Sequence, residues 1–261
     1  MNNSIIMGDY HTHTKYSDGY TTCRENVEAA LKIGLKEIAI TDHGFNNPSR
    51  FALTRNKYIK QRAEINLLRV EYGSQINILH GVETDIIGCD GTIDANESDI
   101  ENMDILILGY HSFAKAQSLN DWRKLYLNSF LSWLIKPSEA VIRRNTKALI
   151  SAIQRYPIDI LAHINHLLKV DCYEIAKAAS DYGTLIELNE KHINFDGDVF
   201  DKMLSTTAKF IINSDGHRVE RVGVFPNVVS FINKHNIPAN RIVNLGQIPV
   251  FMKNKNIGQK S

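Results

Sequence analysis

The length, composition and charge of this chain are those of an ordinary globular protein. Its 261 residues suffice for one large α/β domain or two small ones, and 43% of them are hydrophobic and 23% charged. The net charge of +1 gives no reason to expect duplex nucleic acid or a membrane surface as a partner.

Cysteine usage and the absence of targeting signals predict a cytoplasmic protein. Cys23, Cys89 and Cys172 are scattered along the sequence, which argues against a disulfide framework and fits a reducing compartment. No stretch has the length of a membrane span or the form of a signal peptide. No repeat or linker marks a boundary, so residues 1–261 are predicted to form a single domain with a flexible tail after about residue 252.

The first informative stretch joins a short apolar run to two closely spaced histidines. Ser4–Met7 is predicted to be a buried strand, and His11 and His13 follow it. Residues at i and i+2 of a strand point to the same side, so both imidazoles can reach one point if the strand continues. The polar segment that ends at Gly19 suits a loop, which can return Asp18 to that point.

Further along the chain, caps and periodicity predict the helices. Thr22 and Glu25 have the form of a capping box, and the helix after them is expected to end at Gly34. A second helix, over residues 58–72, has an apolar face made of Ile59, Ala63, Leu67 and Val70. Other helices are predicted within residues 113–137, from Ser138 to Ile153, from Asp171 to Gly183, near residues 199–205, and within residues 221–248, where a terminal strand follows.

Apolar strands alternate with these helices. After the first run they are predicted at residues 37–41, 76–80, 104–108, 158–162, 184–188 and 210–213. Such alternation argues for parallel strands with covering helices. A parallel barrel gathers the carboxyl ends of its strands at one rim, where active sites form, and an open doubly wound sheet would also cluster them, although less completely.

The strands end in residues of the kinds that bind metal ions. They are His11, His13, Asp18, His43, Glu83, His111, His163, Asp215 and His217. Imidazole and carboxylate together suit zinc, manganese, iron or cobalt. Since one zinc ion usually takes four ligands, this many groups predict two or three ions, and Glu83 can bridge two of them.

The motifs at these positions resemble those of the PHP (polymerase and histidinol phosphatase) family of metal-dependent phosphoesterases. In chain order the motifs are H-x-H with S-D-G (residues 11–19), T-D-H (41–43), G-x-E (81–83), H-S (111–112), a strand-end His163, and S-D-x-H (214–217). They occur in the expected order and cover nearly the whole chain. The resemblance implies a distorted seven-stranded parallel (β/α)7 barrel, similar to a TIM barrel, which agrees with the independent strand count.

The resemblance also implies a trinuclear site of divalent transition metal ions (zinc, manganese or iron). Its first ion would be held by His11, His13, Glu83 and Asp215. Its second ion would be held by Glu83, His111 and His163. Its third ion would be held by Asp18, His43 and His217.

The implied chemistry is the hydrolysis of a phosphoric ester bond in a small phosphorylated substrate. Clustered cations neutralise a phosphomonoester, lower the pKa of a bound water and clamp the reacting oxygens. Our hypothesis is that a metal-activated hydroxide attacks phosphorus in this site, with Glu83 and Asp215 at its centre. Arg218, beside the last ligand, is predicted to bind a phosphate oxygen. Weaker candidates for phosphate binding or for protonating the leaving group are His192, Lys191 and Lys15.

Several readings of the sequence stay open. The stretch 163–166 resembles histidinol phosphatases, although Asn165 stands where those proteins often carry Asp, and the stretch 109–112 resembles the general phosphatase branch. Histidinol phosphate is therefore one candidate substrate. A nuclease or nucleotide phosphoesterase is an alternative, because related modules accompany DNA polymerases, but the net charge gives no duplex-binding footprint. A non-catalytic metal-binding regulatory module is a third reading. The oligomeric state is left open.

Some polar residues near the motifs are assigned supporting roles. Asp9 and Asp42 are predicted to orient histidine ligands rather than to bind metal themselves. His166 is placed either in the wall of the site or at the solvent-facing surface. His80, which falls within a strand, is predicted to be structural.

Overall fold

A seven-stranded parallel sheet, rolled into a nearly closed barrel, forms the centre of the computed structural model, which describes residues 5–46, 52–127, 129 and 136–252. In order along the chain and around the sheet, the strands are β1 (Gly8–Asp9), β2 (Glu37–Ile40), β3 (Asn77–Asp85), β4 (Ile105–Gly109), β5 (Ile160–Leu161), β6 (Leu185–Asn189) and β7 (Phe210–Asn213). The predicted (β/α)7 barrel is confirmed.

Helices cover the outside of this barrel. They are α1 (Cys23–Lys32), α2 (Arg55–Tyr72), α3 (Glu97–Glu101), α4 (Leu119–Asp121), which continues as a π-helical turn over Trp122–Leu127, α5 (Glu139–Arg155), α6 (Cys172–Tyr182), α7 (Gly197–Leu204) and α8 (Pro226–Lys234). The predicted capping box of Thr22 and Glu25 is present at the start of α1. Among the described helices, none is both long enough and apolar enough to span a bilayer.

Short contacts past the ends of β1 and β7 nearly close the barrel. Thr12 forms a parallel bridge with Gly216. The backbone N–H of Ser214 donates to Asp9 Oδ1 at 3.1 Å. These contacts draw the first and last strands of the sheet together at the rim where the predicted ligands lie.

Side chains inside the barrel form an apolar floor beneath a polar rim. The floor consists of Tyr10, Ala39, Leu79, Ile105, Ile107, Ile160, Ala162, Ile211 and Phe251. Alternate residues of a strand face the same side, so Glu83 of β3 follows Leu79 on the inner face. The helices pack on the opposite face of the sheet, where larger apolar clusters lie. Because the apolar floor lies on one side of the polar rim, the rim is accessible from the opposite side.

Two predicted elements are wrong in their details. The first strand is β1 rather than residues 4–7, because Ile6 instead forms an antiparallel bridge with Leu245, and Ile5 is 67% exposed. After α8, the described residues contain an isolated bridge between Ile242 and Phe210 but no terminal strand. The tail predicted after residue 252 lies outside the described residues, as does part of the predicted 113–137 helix.

The predicted apolar face of the second helix is also wrong. Ile59, Leu67 and Val70 are 65%, 71% and 88% exposed. The helix begins at Arg55, and its buried residues are Tyr58, Gln61, Ile65 and Leu68. The face that α2 turns inward therefore includes a polar residue, which lies beneath the rim.

Candidate metal centre

The ligand-type residues of the sequence gather at the carboxyl ends of the strands. His11, His111, His163 and Asp215 each lie two residues beyond the last residue of their strands, β1, β4, β5 and β7. Glu83 lies within β3 and is fully buried. Because parallel strands present their carboxyl ends at one edge, equal offsets from those ends bring residues from distant parts of the chain together.

Two of these residues adopt a backbone conformation that is rare outside glycine. His163 has a φ of 28° and Asp215 a φ of 52°. A non-glycine residue held at positive φ costs of the order of 1–3 kcal/mol and is found mainly at functional sites. The backbone N–H of His163 donates to Glu187 Oε2 at 2.8 Å, which helps to hold this conformation. The chain thus bears strain where it turns these side chains toward the rim.

The carboxylate of Glu83 is the centre of the group. Five imidazoles have a nitrogen within 3.6 Å of it, and they belong to His11, His13, His43, His111 and His163. Gly109 of the neighbouring strand makes room for this carboxylate, since a Cβ at that position would lie 2.7 Å from Glu83 Oε1. The glycine is therefore required by close approach rather than by a turn.

Three overlapping groups of side chains offer ligand atoms within 4.8 Å of one another. They are His13 with Asp18, His43 and His217; His11 with His13 and Glu83; and His43 with Glu83 and His111. Asp215 Oδ1 lies 3.4 Å from His13 Nε2, and His163 Nε2 lies 2.8 Å from Glu83 Oε1. All nine ligand-type residues are thus brought together, although His13 lies closer to Asp18 and its partners than the expected three sets imply.

Five buried atoms at this centre have no hydrogen-bond partner among the described residues. They are His11 Nε2, His13 Nδ1, His13 Nε2, His43 Nδ1 and Glu83 Oε2. Buried polar atoms are normally paired, because leaving one unpaired costs about 1–3 kcal/mol. Nitrogen and oxygen atoms of these types are the donors that zinc, manganese and iron prefer. The chemistry of the donor set therefore fits divalent transition metal ions.

Opposing charges at the centre are strongly coupled. Burial disfavours the charged form of His11, yet the carboxylates of Glu83 and Glu187 outweigh it and hold the pKa of this imidazole well above its usual value. Burial likewise disfavours ionisation of Glu83, but His111 and His11 bring the pKa of its carboxyl well below the usual value. An ionised carboxylate this deep requires positive charge beside it.

Two carboxylates that the sequence reasoning missed lie behind the histidines. Glu187 Oε1 is 2.7 Å from His11 Nδ1, and Asp85 Oδ1 is 2.8 Å from His111 Nδ1. Each bond directs the other ring nitrogen of its histidine toward the rim, as carboxylates behind metal-binding histidines do. For Glu187, the signal in the sequence was an acidic residue inside the otherwise apolar run of residues 185–188.

Asp42 and Asp9 hold backbone segments rather than imidazoles. Asp42 accepts from the backbone N–H of Thr14 at 2.8 Å and from the hydroxyl of Ser17, and so fixes the loop that carries Asp18. Asp9 accepts from the backbone of Ser214. Among the described residues, neither carboxylate contacts a histidine ring. Both carboxylates therefore support the site through backbone N–H groups and hydroxyls of the loops that carry ligand-type residues.

A cavity of about 230 Å³ opens above the centre. Besides seven of the ligand-type residues it is lined by His166, Leu167, Lys191 and His192. The rings of His166 and His192 are stacked, with centroids 3.9 Å apart at an angle of 25°. Burial, together with the neighbouring ring of His166, lowers the pKa of His192 to about 4, so its imidazole is neutral at pH 7. His166 thus belongs to the wall of the site.

The basic residues named as phosphate-binding candidates lie in different places. Lys191 Nζ is 3.1 Å from Asp215 Oδ1, within the cavity lining. Arg218 is exposed and outside that lining, and its guanidinium lies 4.2 Å from the ring centroid of Tyr20. Lys15 is also exposed and outside the lining. The backbone at Arg218 is extended, so the side chains of Arg218 and His217 point to opposite sides of the chain.

Comparison with known protein families gives a match over most of the chain. A family model described as the PHP domain matches residues 9–196. A protein from Thermoanaerobacter sp. (strain X514), named a probable phosphatase, is 29% identical in an alignment of 259 positions that covers 95% of this chain and 94% of that protein. The DNA polymerase/3'-5' exonuclease PolX of Bacillus subtilis is 28% identical in an alignment of 260 positions that covers 95% of this chain but 41% of that protein.

Among solved structures, the fold is similar to that of a histidinol phosphate phosphatase from Lactococcus lactis. The TM-score is 0.61, and the match covers 88% of this chain and 93% of the other at 19% identity. That protein was crystallised in complex with zinc, L-histidinol and phosphate. At this level of identity the likeness establishes the shared fold.

Proposed function

The chain belongs to the PHP domain family, and from this premise we propose that it is a metal-dependent phosphomonoesterase with two or three divalent transition metal ions. The observation that carries the proposal is the set of five buried ligand atoms without hydrogen-bond partners, four on imidazoles and one on Glu83, beneath an open cavity. Metal ions bound there would neutralise a phosphate ester and lower the pKa of a water molecule for attack on phosphorus. In the net reaction, water and a phosphomonoester give an alcohol and inorganic phosphate.

Charge at the rim supports an anionic substrate. The ligand-type residues include three carboxylates, those of Asp18, Glu83 and Asp215. With neutral imidazoles and two divalent ions, the net charge of this set is about +1, and with three ions it is about +3. A phosphomonoester carries about two negative charges at neutral pH, so the loaded rim attracts it.

The protein's own side chains have the task of orientation. Glu187 and Asp85 fix the rings of His11 and His111. Asp42 fixes the loop that carries Asp18. Such support keeps the ligand atoms in place before substrate arrives, which lowers the cost of assembling the reactive geometry.

The size of the cavity favours a small substrate. Its volume of about 230 Å³ lies below the roughly 300–1,000 Å³ of pockets for drug-sized ligands. The similarity of fold to a protein crystallised with L-histidinol and phosphate makes histidinol phosphate a reasonable first substrate to test. The stacked wall of His166 and His192 offers flat surfaces to the leaving group.

The decisive experiment is an assay of protein loaded with manganese or zinc against a panel of phosphate esters. The panel contains histidinol phosphate, simple alkyl and aryl phosphates, nucleotides and short oligonucleotides; released phosphate is measured for the monoesters, and shortening of the strands is measured for the oligonucleotides. We expect metal-dependent release from small monoesters. A metal-replete protein that releases phosphate from none of them would overturn the proposal.

A second candidate is a nuclease or nucleotide phosphoesterase. Its support is the match of 95% of this chain to part of a protein named DNA polymerase/3'-5' exonuclease PolX. Cleavage of oligonucleotides without cleavage of small monoesters in the same panel would select this candidate. Binding to single strands that weakens steeply with salt would be its companion result.

A non-catalytic metal-binding module remains the alternative from another class. It predicts metal binding with no turnover of any ester in the panel. The open cavity above the centre argues against it, because a purely structural metal site is closed by protein ligands.

A further inference from the structure

Lys191 brings an amino group into the cavity lining. It follows β6, where Asn189 Oδ1 accepts from its backbone N–H at 2.9 Å. Its side chain is 36% exposed and reaches over the rim, so that Nζ lies 3.1 Å from Asp215 Oδ1. Lysine and arginine are otherwise absent from this lining. A cation so placed faces the space that a phosphate would occupy.

The contacts of the ammonium group show how it can be free to bind an anion. His217 Nδ1 lies 2.7 Å from Lys191 Nζ and 2.9 Å from the backbone oxygen of Asp215. One ring nitrogen cannot satisfy both, because it must accept from the ammonium but donate to the carbonyl oxygen. The location of the proton on this ring therefore decides which contact is kept.

Metal binding by His217 would settle that choice. Its other nitrogen, Nε2, lies 3.2 Å from Asp18 Oδ2 at the rim. If Nε2 serves as a ligand, its lone pair is engaged and the proton must be on Nδ1, which then donates to the carbonyl oxygen of Asp215. The ammonium of Lys191 is left with Asp215 Oδ1 as its partner. Two of its three N–H donors are then available.

From this geometry we infer that Lys191 binds a phosphate oxygen of the substrate, with Asp215 holding its ammonium over the rim. The inference rests on the proposed function, since it assigns a residue to the same site. It gives to Lys191, which the sequence analysis names as a weaker candidate, the task that the sequence analysis assigns first to Arg218. A charge-assisted hydrogen bond to phosphate in a partly buried site is among the stronger contacts available to a side chain.

The test measures binding of inorganic phosphate to the metal-loaded protein by calorimetry, together with KM, kcat and metal content. Lys191→Gln and Lys191→Met remove the charge, Lys191→Arg keeps it, and Lys177→Gln is the matched control. Lys177 lies on the outer helix α6, is half exposed and pairs with Glu174. We expect loss of the Lys191 charge to weaken phosphate binding and raise KM by about 10- to 100-fold, with the metal content of the wild type. Lys191→Arg should retain most of the affinity.

Each other outcome has a definite meaning. Unchanged phosphate affinity in Lys191→Gln and Lys191→Met would overturn the inference. So would loss of metal together with phosphate binding, because Lys191 would then support the ligands rather than the substrate. A wild-type protein that binds phosphate through Lys191 but hydrolyses no ester would refute the proposed function and leave this inference standing. A metal-loaded wild type that binds no phosphate would overturn this inference, whereas the proposed function is decided by the panel of esters.

Discussion

The inner ring of the site and its outer wall are built in different ways. The inner ring consists of the nine ligand-type residues, with Glu83 at their centre. Carboxylates stand directly behind some of its histidines, as Glu187 does behind His11. The outer wall consists of His166, Leu167, Lys191 and His192. Its main-chain support is a neutral amide, since Asn189 Oδ1 accepts from the backbone of Lys191 and His192.

This difference allows one rim to serve two tasks, the binding of metal ions and the binding of substrate. A ring whose charges and orientations are fixed from behind suits tight binding of cations, which demands exact ligand positions. A half-exposed wall whose main chain is held by a neutral amide can adjust to a leaving group with little effect on that ring. If the comparison is right, substitutions in the ring should change metal binding, and substitutions in the wall should change substrate binding alone.

The largest effect is expected from Glu83→Gln, which removes the central charge of the ring and nearly preserves its shape. Glu83 is fully buried among five imidazoles, so the variant should lose metal affinity by more than the roughly 100-fold that a supporting residue costs. Metal content after dialysis and phosphatase activity measure this. Glu174→Gln, on the exposed face of α6, is the control. Full metal content in Glu83→Gln would contradict the role of this residue as the centre.

Smaller effects are expected from the carboxylates behind the ring. Glu187→Gln and Asp85→Asn should each lower metal affinity by about 10- to 100-fold. The reason is that the imidazole of His11 or His111, which the carboxylate orients in the wild type, loses its fixed orientation. Competition with a metal-binding dye gives the affinities. The KM of the fully loaded variants should stay near that of the wild type. Variants that bind metal normally but bind substrate poorly would break the distinction between ring and wall.

The fold and the ligand-type residues could be predicted because both depend on short local patterns of the sequence. An apolar strand followed by His or Asp needs no knowledge of its neighbours, and a parallel barrel brings all such ends to one rim. Glu187 and Asp85 could not be assigned in this way. The role of Glu187 is to orient His11, which is 176 positions away in sequence. Only the folded barrel brings the two residues together.

The face of α2 was mispredicted for a related physical reason. Hydrophobic periodicity assumes that a helix buries its apolar side, but α2 buries Gln61 beneath the rim. There the amide donates to Asp42 and lies 3.0 Å from the ring of His80. The other buried residues of α2 are Tyr58, Ile65 and Leu68, so the helix buries a different and largely apolar face that includes Gln61. Arg218 lies outside the cavity lining for another reason, since adjacency to His217 in sequence does not fix the direction of a side chain along an extended segment.

The layer beneath the ring should be sensitive to acid through His80. Burial, with the charges of Arg62 and Arg69, lowers the pKa of this imidazole to about 3, whereas it is near 6.5 in the unfolded chain. The unfolded state therefore binds more protons between these values. The stability that neutral His80 contributes is complete above about pH 6.5 and is lost toward pH 3, by at most about 1.4 kcal/mol for each pH unit.

The variant His80→Gln tests this prediction. At pH 7 it should be less stable than the wild type, because the ring of His80 stacks on Tyr58 with centroids 4.3 Å apart. The free energy of unfolding, measured in urea at pH 7 and pH 5, should show the two proteins converging at the lower pH. A difference that stays constant or widens would mean that His80 is not held neutral.

The smallest effect is expected in the wall, from His166→Ala. The substitution removes one ring of the stacked pair, whose centroids are 3.9 Å apart, and aromatic pairs are worth about 0.5–1.5 kcal/mol beyond the area they bury. We expect kcat/KM to fall about two- to tenfold. The loss should be greater for esters with flat leaving groups than for alkyl phosphates, since only the former use the ring faces. Metal content should match the wild type, because the five imidazoles within 3.6 Å of the Glu83 carboxylate do not include that of His166. Loss of metal in this variant would show that the wall also supports the ring, and the two could no longer be regarded as separate parts of the site.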